Sequence, residues 1–330
     1  MTSSPAFASS ATANEQTEKI NAEAAESFGD IIFRYMRRII GFAGLLVLVG
    51  LSLTCSRFDN KASDISTDRV VVISPIYNEI IFALGAQDKV VGVDLSSTYP
   101  PEIQKVTTVG YHRALSAEGI LSLHPTVILS EDNNIGPPQV VDQIRQLNIP
   151  IKAFDSKNNS IDGTKSLIRE IAAFFHKEDK AEELCRNLDQ QLAAAQEAVK
   201  QYTDHPKVAI VHFGRASNVY MVVGKTGGEG GAGGKMIEMA GGVPAIDQDG
   251  MQRMASPEIV AQANPDVILV TSYGYDHAGG NSDAIKQLPG VETSNAAKNN
   301  KIYRIEEGEL MYFGPRTGDN LMKLAKLIHR

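Results

Sequence analysis

Two regions of the chain alternate short apolar runs with stretches of helical periodicity. The runs are rich in Val and Ile, which is typical of strands that are buried on both faces of a sheet. Strands that alternate with helices indicate parallel sheets, so the pattern predicts two α/β lobes, at residues 69–160 and 205–330. The predicted strands lie at residues 70–73, 90–93, 127–129, 149–154, 208–211, 219–223 and 267–270, with helices at 78–84 and 235–240.

The segment between the lobes, about residues 161–204, carries no strand signal. Over residues 180–201 apolar side chains recur every three or four positions, which predicts one apolar face of a long helix. At 1.5 Å per residue this helix would span roughly 33 Å, about the width of a small domain. The fold class predicted from the sequence is therefore α/β, with two lobes joined by one long α-helix. The apolar positions are Ala181, Leu184, Leu188, Leu192, Ala195 and Val199.

The N-terminal segment has the pattern of a secretion signal. Residues 1–35 are rich in Ala, Ser, Thr and Glu and are expected to be a non-structured upstream extension. Residues 36–55 combine two arginines, a short apolar run and small residues, and the run is shorter than the ~20 residues of a membrane span. Three fates remain open: a lipid on Cys55, plain cleavage, or a retained anchor. With residues 56–68 as a linker, we expect a periplasmic or cell-envelope protein, tethered to the membrane through Cys55.

Composition narrows the function classes. A formal net charge of −7 argues against nucleic-acid binding. The two cysteines, Cys55 and Cys185, are too far apart in sequence for a Cys-x-x-Cys zinc or redox site. The glycine-rich stretch at 224–234 lacks the spacing of a phosphate-binding loop, and no hydrolase or zinc-protease motif is present. These observations favour ligand binding over catalysis, so we do not expect the protein to be an enzyme.

One motif occurs in both lobes. Residues 116–129 and 256–269 carry Ser, Glu, Pro and Val-Ile-Leu at the same offsets. Serine is a favoured helix N-cap, an early glutamate suits the positive end of the helix, and the proline ends the helix before a buried strand. The repeat predicts one exposed acid on each lobe, Glu118 and Glu258, on one face of the molecule.

With this layout and repeat, residues 69–330 resemble the substrate-binding proteins of ABC importers for iron chelates, vitamin B12 and haem. The resemblance implies two Rossmann-like lobes joined by a long helix, the helical-backbone form of periplasmic binding protein. In that family one glutamate on each lobe docks with basic residues of the permease. The resemblance therefore assigns docking to Glu118 and Glu258, and it implies a permease and its ATPase as partners.

Within that family the chain is most similar to the haem-specific members. Residues 109–119, VGYHRALSAEG, resemble their G-Y-x-R-x-L-S-x-E-G signature, and residues 313–317 resemble a motif near their C-terminus. The resemblance implies haem b as the transported ligand, with an outer-membrane haem receptor as a candidate upstream partner. It also implies that the phenolate of Tyr111 ligates ferric iron. Arg113 either keeps that phenolate ionised or pairs with a haem propionate, for which Arg316 is the other candidate.

Further residues are candidates for the cleft. His212 ends the predicted strand at 208–211 and is either an iron ligand, as a second-lobe histidine is for a second haem in some haem-binding relatives, or a solvated or hydrogen-bonded histidine. His112, beside Tyr111, is a less favoured ligand. Aromatic and Met side chains suit a flat porphyrin but are equally suited to ordinary packing. The candidate wall residues are Arg215, Met221, Tyr273 and Tyr275.

Two alternatives stay open at this point. The first is a corrinoid or ferric-siderophore binding protein of the same fold. A siderophore would need several cations in the cleft and no axial protein ligand. The second is a metal-dependent enzyme on this fold, which would need an acid/base or metal cluster that the sequence does not reveal.

Overall fold

The computed structural model describes residues 65–131, 135–225, 231–254 and 257–330, and residues 65–330 form one compact unit. The predictions for residues 1–64, including the extension, the signal and the lipid on Cys55, lie outside the described residues, as does most of the linker. In the described ranges, no helix is both long enough and apolar enough to cross a membrane.

The first lobe is built on a parallel sheet. Its strands are β1 (Val70–Ile73), β2 (Val90–Val93), β3 (Thr107–Thr108), β4 (Val127–Ser130) and β5 (Ile151–Lys152). They pair in the order β3-β2-β1-β4-β5, and every pairing is parallel, as predicted. The central strand β1 is fully buried because separate apolar clusters cover its two faces, which explains its unbroken apolar run.

The helices of the first lobe are α1 (Pro75–Ala83), α2 (Ala117–Leu121) and α3 (Pro138–Gln146), with short 3-10 turns at Gln87–Lys89 and Pro101–Lys105. Helix α1 begins three residues before the predicted start. The cause is an N-cap: Ser74 Oγ accepts a hydrogen bond from the Tyr77 N–H at 3.2 Å, and Pro75 suits the first helical position. The predicted strand at 149–154 is reduced to β5.

The segment between the lobes contains two helices, so the prediction of one continuous linking helix over 161–204 needs refinement. These are α4 (Ile161–Phe174) and α5 (Glu178–Val199). The chain reverses between them at His176, whose φ of +55° lies in the left-handed region. Helix α5, of 22 residues, is the long helix that the periodicity predicted.

Helix α5 contributes to the cores of both lobes. Ala181 and Cys185 pack in the core of the first lobe, whereas Leu188, Leu192 and Ala195 pack in that of the second. One rigid helix therefore connects two hydrophobic cores.

The second lobe contains strands and helices in alternation. The strands are β6 (Lys207–Gly214), β7 (Val219–Val223), β8 (Val243–Pro244), β9 (Met251–Arg253), β10 (Val267–Thr271) and β11 (Ile302–Ile305). The helices are α6 (Gly231–Met239), α7 (Pro257–Ala263), α8 (Ser272–His277), α9 (Ser282–Lys286), α10 (Asn295–Lys298), α11 (Glu307–Leu310) and α12 (Thr317–Ile328).

The sheet of the second lobe is mixed, not purely parallel. Its order is β11-β10-β6-β7-β9, with β8 also paired to β6, and β7 runs antiparallel to both β6 and β9. The reason is the short connection at residues 215–218, since a parallel crossover needs a dozen or more residues. In each lobe the first strand pairs with the strand of the repeated motif, β1 with β4 and β6 with β10.

Candidate functional site

Tyr111 lies in a tightly bonded loop that follows β3. The Leu95 N–H donates to the Gly110 carbonyl at 2.8 Å, and the Ala114 N–H donates to the Tyr111 carbonyl at 2.8 Å. Gly110 has a φ of +103°, a conformation that glycine adopts without steric cost. The backbone that carries the tyrosine is therefore well fixed.

Charged side chains of both lobes act on the phenol of Tyr111. Burial raises the pKa of Tyr111, while the charges of Arg113 and Arg215 lower it and those of Glu307 and Asp94 raise it. Arg215 and Glu307 belong to the second lobe, whereas Tyr111 belongs to the first. The half-buried phenol is thus within electrostatic range of the second lobe, and its role as iron ligand stays a prediction.

Arg215 and Glu307 form an ion pair on the second-lobe side of this cleft. Arg215 Nη1 donates to Glu307 Oε2 at 3.0 Å, and only 13% and 17% of the two side chains are exposed. The guanidinium carbon lies 4.2 Å from the centre of the Tyr273 ring, a cation–π arrangement. Arg215 Nε is buried and has no hydrogen-bond partner among the described residues.

His212 lies within β6, not at its end as predicted, because the strand continues to Gly214. Its Nδ1 is 3.1 Å from Thr271 Oγ1, and burial lowers the pKa of the imidazole, so the ring is neutral at neutral pH. The same pair, Arg215 and Glu307, acts electrostatically on both His212 and Tyr111. A neutral imidazole is able to ligate iron, and the ligand role of His212 stays a prediction.

Arg316 forms the main ionic contact between the lobes. Its Nη2 and Nε donate to the Glu79 carboxylate at 2.7 and 3.1 Å, and its guanidinium carbon lies 3.3 Å from the centre of the Tyr99 ring. The guanidinium that the sequence suggested for a propionate is therefore already paired with Glu79.

A cavity of about 830 Å³ opens between the lobes. Leu95 and Tyr99 line it from the first lobe, and Arg215, Tyr273 and Arg316 line it from the second. Three of the predicted ligand-binding residues therefore share one cavity, whose volume is typical of sites for small ligands and cofactors. Tyr111, Arg113, His212 and Met221 are not among the residues that line this cavity.

The remaining predicted residues differ in burial and in packing. Met221 is half-buried on β7 and pairs with His212 across the ladder. Arg113 is exposed, next to the Tyr111 loop. Tyr275 packs against an apolar cluster of the second lobe, which is the ordinary packing role that the sequence left open.

Glu118 and Glu258 occupy equivalent positions in the two copies of the repeated motif. Each is exposed and is the second residue of a short helix, α2 or α7. Ser116 caps α2 by accepting from the Gly119 N–H at 3.3 Å, while the matching Ser256 lies outside the described residues. The docking role of the two acids is still a prediction.

Sequence reasoning missed the buried acids around the cleft. Asp94 and Glu131 directly follow β2 and β4, and burial raises the pKa of Glu131. Their positions at the carboxyl ends of parallel strands are a signal that could have identified them. Glu79 and Glu307 offered no such signal, because their arginine partners are distant in sequence. In the part of the chain that is described, no three His, Cys, Asp or Glu side chains form a group that could hold a metal ion.

The chain matches the family model of the periplasmic binding proteins over residues 70–308. Among curated proteins it is 27% identical to an uncharacterized ABC transporter substrate-binding lipoprotein, YvrC of Bacillus subtilis, over 79% of this chain and 80% of YvrC. It is 28% identical to a vitamin B12-binding protein of Pectobacterium atrosepticum, over 41% of this chain and 47% of that protein.

Solved structures of heme-binding proteins are also similar. The apo form of the periplasmic heme-binding protein RhuT from Roseiflexus sp. RS-1 is 34% identical, with a TM-score of 0.71, over 80% of this chain and 98% of RhuT. The periplasmic heme-binding protein BhuT, in complex with two hemes, is 28% identical, with a TM-score of 0.67, over 79% of this chain and 97% of BhuT.

Proposed function

Because the chain belongs to the periplasmic binding protein family, we propose that it is the substrate-binding component of an ABC importer and that its cargo is haem. The observation that carries this proposal is the half-buried Tyr111 phenol, which is close enough to Arg215 and Glu307 of the opposite lobe for their charges to act on its pKa. A phenolate is a known axial ligand of haem iron, and its hard anionic oxygen suits the ferric state. The similarity to RhuT and BhuT supports the same cargo.

Capture requires that the phenol lose its proton. Burial raises the pKa of Tyr111, so the empty site holds a neutral phenol at neutral pH. Ferric iron replaces that proton when haem binds, and the nearby charges of Arg113 and Arg215 favour the resulting phenolate. Tyr99 and Tyr273, which line the cavity, present aromatic surface to the porphyrin. His212 is the candidate for a second ligand, and Arg113 is the candidate partner of a propionate.

The charge pairing in the cavity disfavours a ferric siderophore. Such an anionic ligand needs unpaired cations, but four of the five cationic side chains that line the cavity already pair with carboxylates. A siderophore would have to displace these carboxylates before it could bind. The pairs are Arg215–Glu307, Arg304–Asp276, Arg316–Glu79 and Lys323–Glu309.

A corrinoid is the second candidate cargo. The observation in its favour is the similarity to vitamin B12-binding proteins, which extends over less than half of this chain. A corrinoid would not use the Tyr111 phenolate as the haem proposal requires, so a tyrosine substitution discriminates between the two.

Delivery uses the two exposed acids of the repeat. In this proposal Glu118 and Glu258 dock with basic residues of the permease, which works with an ATPase to import the haem. A lipid on Cys55 tethers the protein to the membrane, and an outer-membrane receptor system supplies the haem. Similarity to the lipoprotein YvrC supports the tether.

The test of the cargo is a haemin titration of the purified protein. We expect the high-spin spectrum of a ferric tyrosinate in the wild type and in the control Tyr275→Phe, whose ring packs in the second lobe. Tyr111→Phe should lose this spectrum and bind haemin about 10- to 100-fold more weakly, as expected for the loss of a charged contact. Absence of any spectral change with haemin, or an unchanged spectrum in Tyr111→Phe, would contradict the proposal. Binding of cyanocobalamin but not haemin would favour the corrinoid.

Docking is tested separately. Glu118→Arg and Glu258→Arg should abolish stimulation of the transporter's ATP hydrolysis in proteoliposomes and leave haemin binding unchanged. Glu102→Arg, at an exposed acid of the same lobe as Glu118, is the control. Equal stimulation by all variants would exclude the docking role.

A further inference from the structure

A buried polar network stands behind the Tyr111 loop. Asp94, only 1% exposed, accepts a hydrogen bond from the Ser96 N–H at 3.0 Å and another from Ser97 Oγ at 2.5 Å. Asn78 Nδ2, on helix α1, donates to Ser97 Oγ at 2.8 Å. The carboxylate is therefore held in place by the framework of the first lobe.

His112 lies between this fixed carboxylate and the ring of Tyr111. Its Nδ1 is 3.7 Å from Asp94 Oδ2, and the centres of the His112 and Tyr111 rings are 4.2 Å apart with a tilt of 50°. The Nδ1 atom is buried and has no hydrogen-bond partner among the described residues. A shift of roughly 0.7 Å would bring it within hydrogen-bond distance of Asp94.

The backbone holds His112 as well. Its carbonyl accepts a hydrogen bond from the Gly136 N–H at 2.8 Å. Glu131, whose carboxylate accepts from Ser74 Oγ at 2.6 Å, is within electrostatic range of His112. The imidazole is thus confined on several sides, and 13% of its side chain is exposed.

We propose that Asp94 and His112 are positioning residues, which hold the Tyr111 ring in the orientation that captures iron. This inference rests on the proposed function. The carboxylate fixes the imidazole through Nδ1, and the imidazole supports one face of the tyrosine ring. Partners of this kind orient metal-binding side chains, and their loss typically weakens metal binding about 10- to 100-fold. His112 therefore acts through Tyr111 and does not ligate the iron.

Two substitutions of His112 separate the two contacts. His112→Phe keeps an aromatic ring against Tyr111 but has no nitrogen for Asp94, whereas His112→Asn keeps a side-chain N–H near the Nδ1 position and loses the ring. His124→Phe, at an exposed histidine of the same lobe, is the control. Asp94→Asn and the double variant Asp94→Asn/His112→Phe complete a double-mutant cycle.

The readouts are haemin release to an excess of an apo-globin and the tyrosinate charge-transfer band. We expect His112→Phe and Asp94→Asn each to release haemin about tenfold faster and to shift the band. The double variant should release it no faster than either single variant, because one contact is lost in all three. His112→Asn should fall between the wild type and His112→Phe, and His124→Phe should match the wild type.

Different outcomes overturn different claims. A wild-type protein without a tyrosinate spectrum contradicts the proposed function itself. A normal wild-type spectrum with unchanged release and band in His112→Phe contradicts only the positioning role. Conversion of a six-coordinate wild-type spectrum to a five-coordinate one in His112→Phe would identify His112 as an iron ligand and overturn the proposal. Should Asp94→Asn unfold in thermal denaturation, the comparison of the two His112 variants still decides.

Discussion

The ion pair between Glu79 and Arg316 should hold the two lobes together, and this can be measured. Glu79 lies on α1 of the first lobe, and Arg316 immediately precedes α12 of the second. The guanidinium donates two hydrogen bonds to the carboxylate, at 2.7 and 3.1 Å, in a bidentate ion pair, and it lies over the ring of Tyr99. Substitution of either charged residue leaves its partner in the cleft without a counter-charge.

The magnitude follows from burial. Only 9% of the Glu79 side chain and 18% of the Arg316 side chain are exposed, so solvent screens the pair weakly. Removal of one partner of a buried pair costs about 3–5 kcal/mol, mostly because the other charge stays buried. Given the residual exposure, we expect Glu79→Gln and Arg316→Met each to lower the free energy of unfolding by about 3 kcal/mol. The double variant should lose clearly less than either single variant, since the penalty for an unpaired charge disappears when both charges are removed.

The assay is urea unfolding at pH 7, followed by far-UV circular dichroism because the chain has no tryptophan. A lower midpoint with an unchanged m-value reports a change in stability alone. The control is Lys180→Met, which removes an exposed pair with Glu183 and should cost less than about 0.5 kcal/mol. Losses of that small size in Glu79→Gln and Arg316→Met, or additive losses in the double variant, would refute the reasoning.

Three further predictions concern stability. Gly318→Ala should destabilise the protein by about 1–3 kcal/mol in thermal unfolding, because the added Cβ would lie 2.6 Å from the backbone of α5. The control Gly308→Ala, whose Cβ would meet no atom within 4 Å, should leave the stability unchanged. Glu131→Gln should be at least as stable as the wild type at pH 7 in urea unfolding, and lower stability would contradict this. Burial raises the pKa of Glu131, so ionisation of this carboxyl opposes folding as pH rises above about 4.3. The amide oxygen of the variant still accepts the hydrogen bond from Ser74. Burial lowers the pKa of His212, so the stability that the neutral imidazole contributes to the folded state is present above about pH 6.5 and is lost as pH falls. Between pH 7.5 and 5.5, His212→Gln should therefore lose less free energy of unfolding than the wild type. Parallel curves of stability against pH would exclude this role of His212.

The strands of the fold could be predicted because burial on both faces leaves a continuous apolar run, as in β1. The break between α4 and α5 could not. Phe174 and Phe175 continue the apolar pattern up to the turn, and no glycine or proline lies between them and α5, so the local sequence carries no signal that the linking segment breaks there. The left-handed conformation at His176 is imposed by the packing of α4 against α5, which is a tertiary effect.

The site was predictable only in part, for a related reason. Tyr111 and the two repeat acids lie in local motifs, and the sequence identifies such motifs directly. Arg215 and Glu307 are 92 positions apart within the second lobe, and Arg316 and Glu79 are 237 positions apart in different lobes, so both pairs form only in the folded chain. Sequence reasoning accordingly treated these arginines as available for the cargo, whereas the fold already pairs them.

This pairing determines how the cleft can recognise a cargo. Helix α5 joins the cores of both lobes, and the Glu79–Arg316 pair links the lobes at Arg316, which lines the cavity, so two connections restrain the position of one lobe relative to the other. Since most cavity cations are paired internally, Coulomb attraction of an anion cannot be the main source of affinity. In the proposed haem complex, affinity comes from aromatic contact with the porphyrin and from the Tyr111 phenolate on the iron, a combination that suits a ferric porphyrin better than a highly charged chelate.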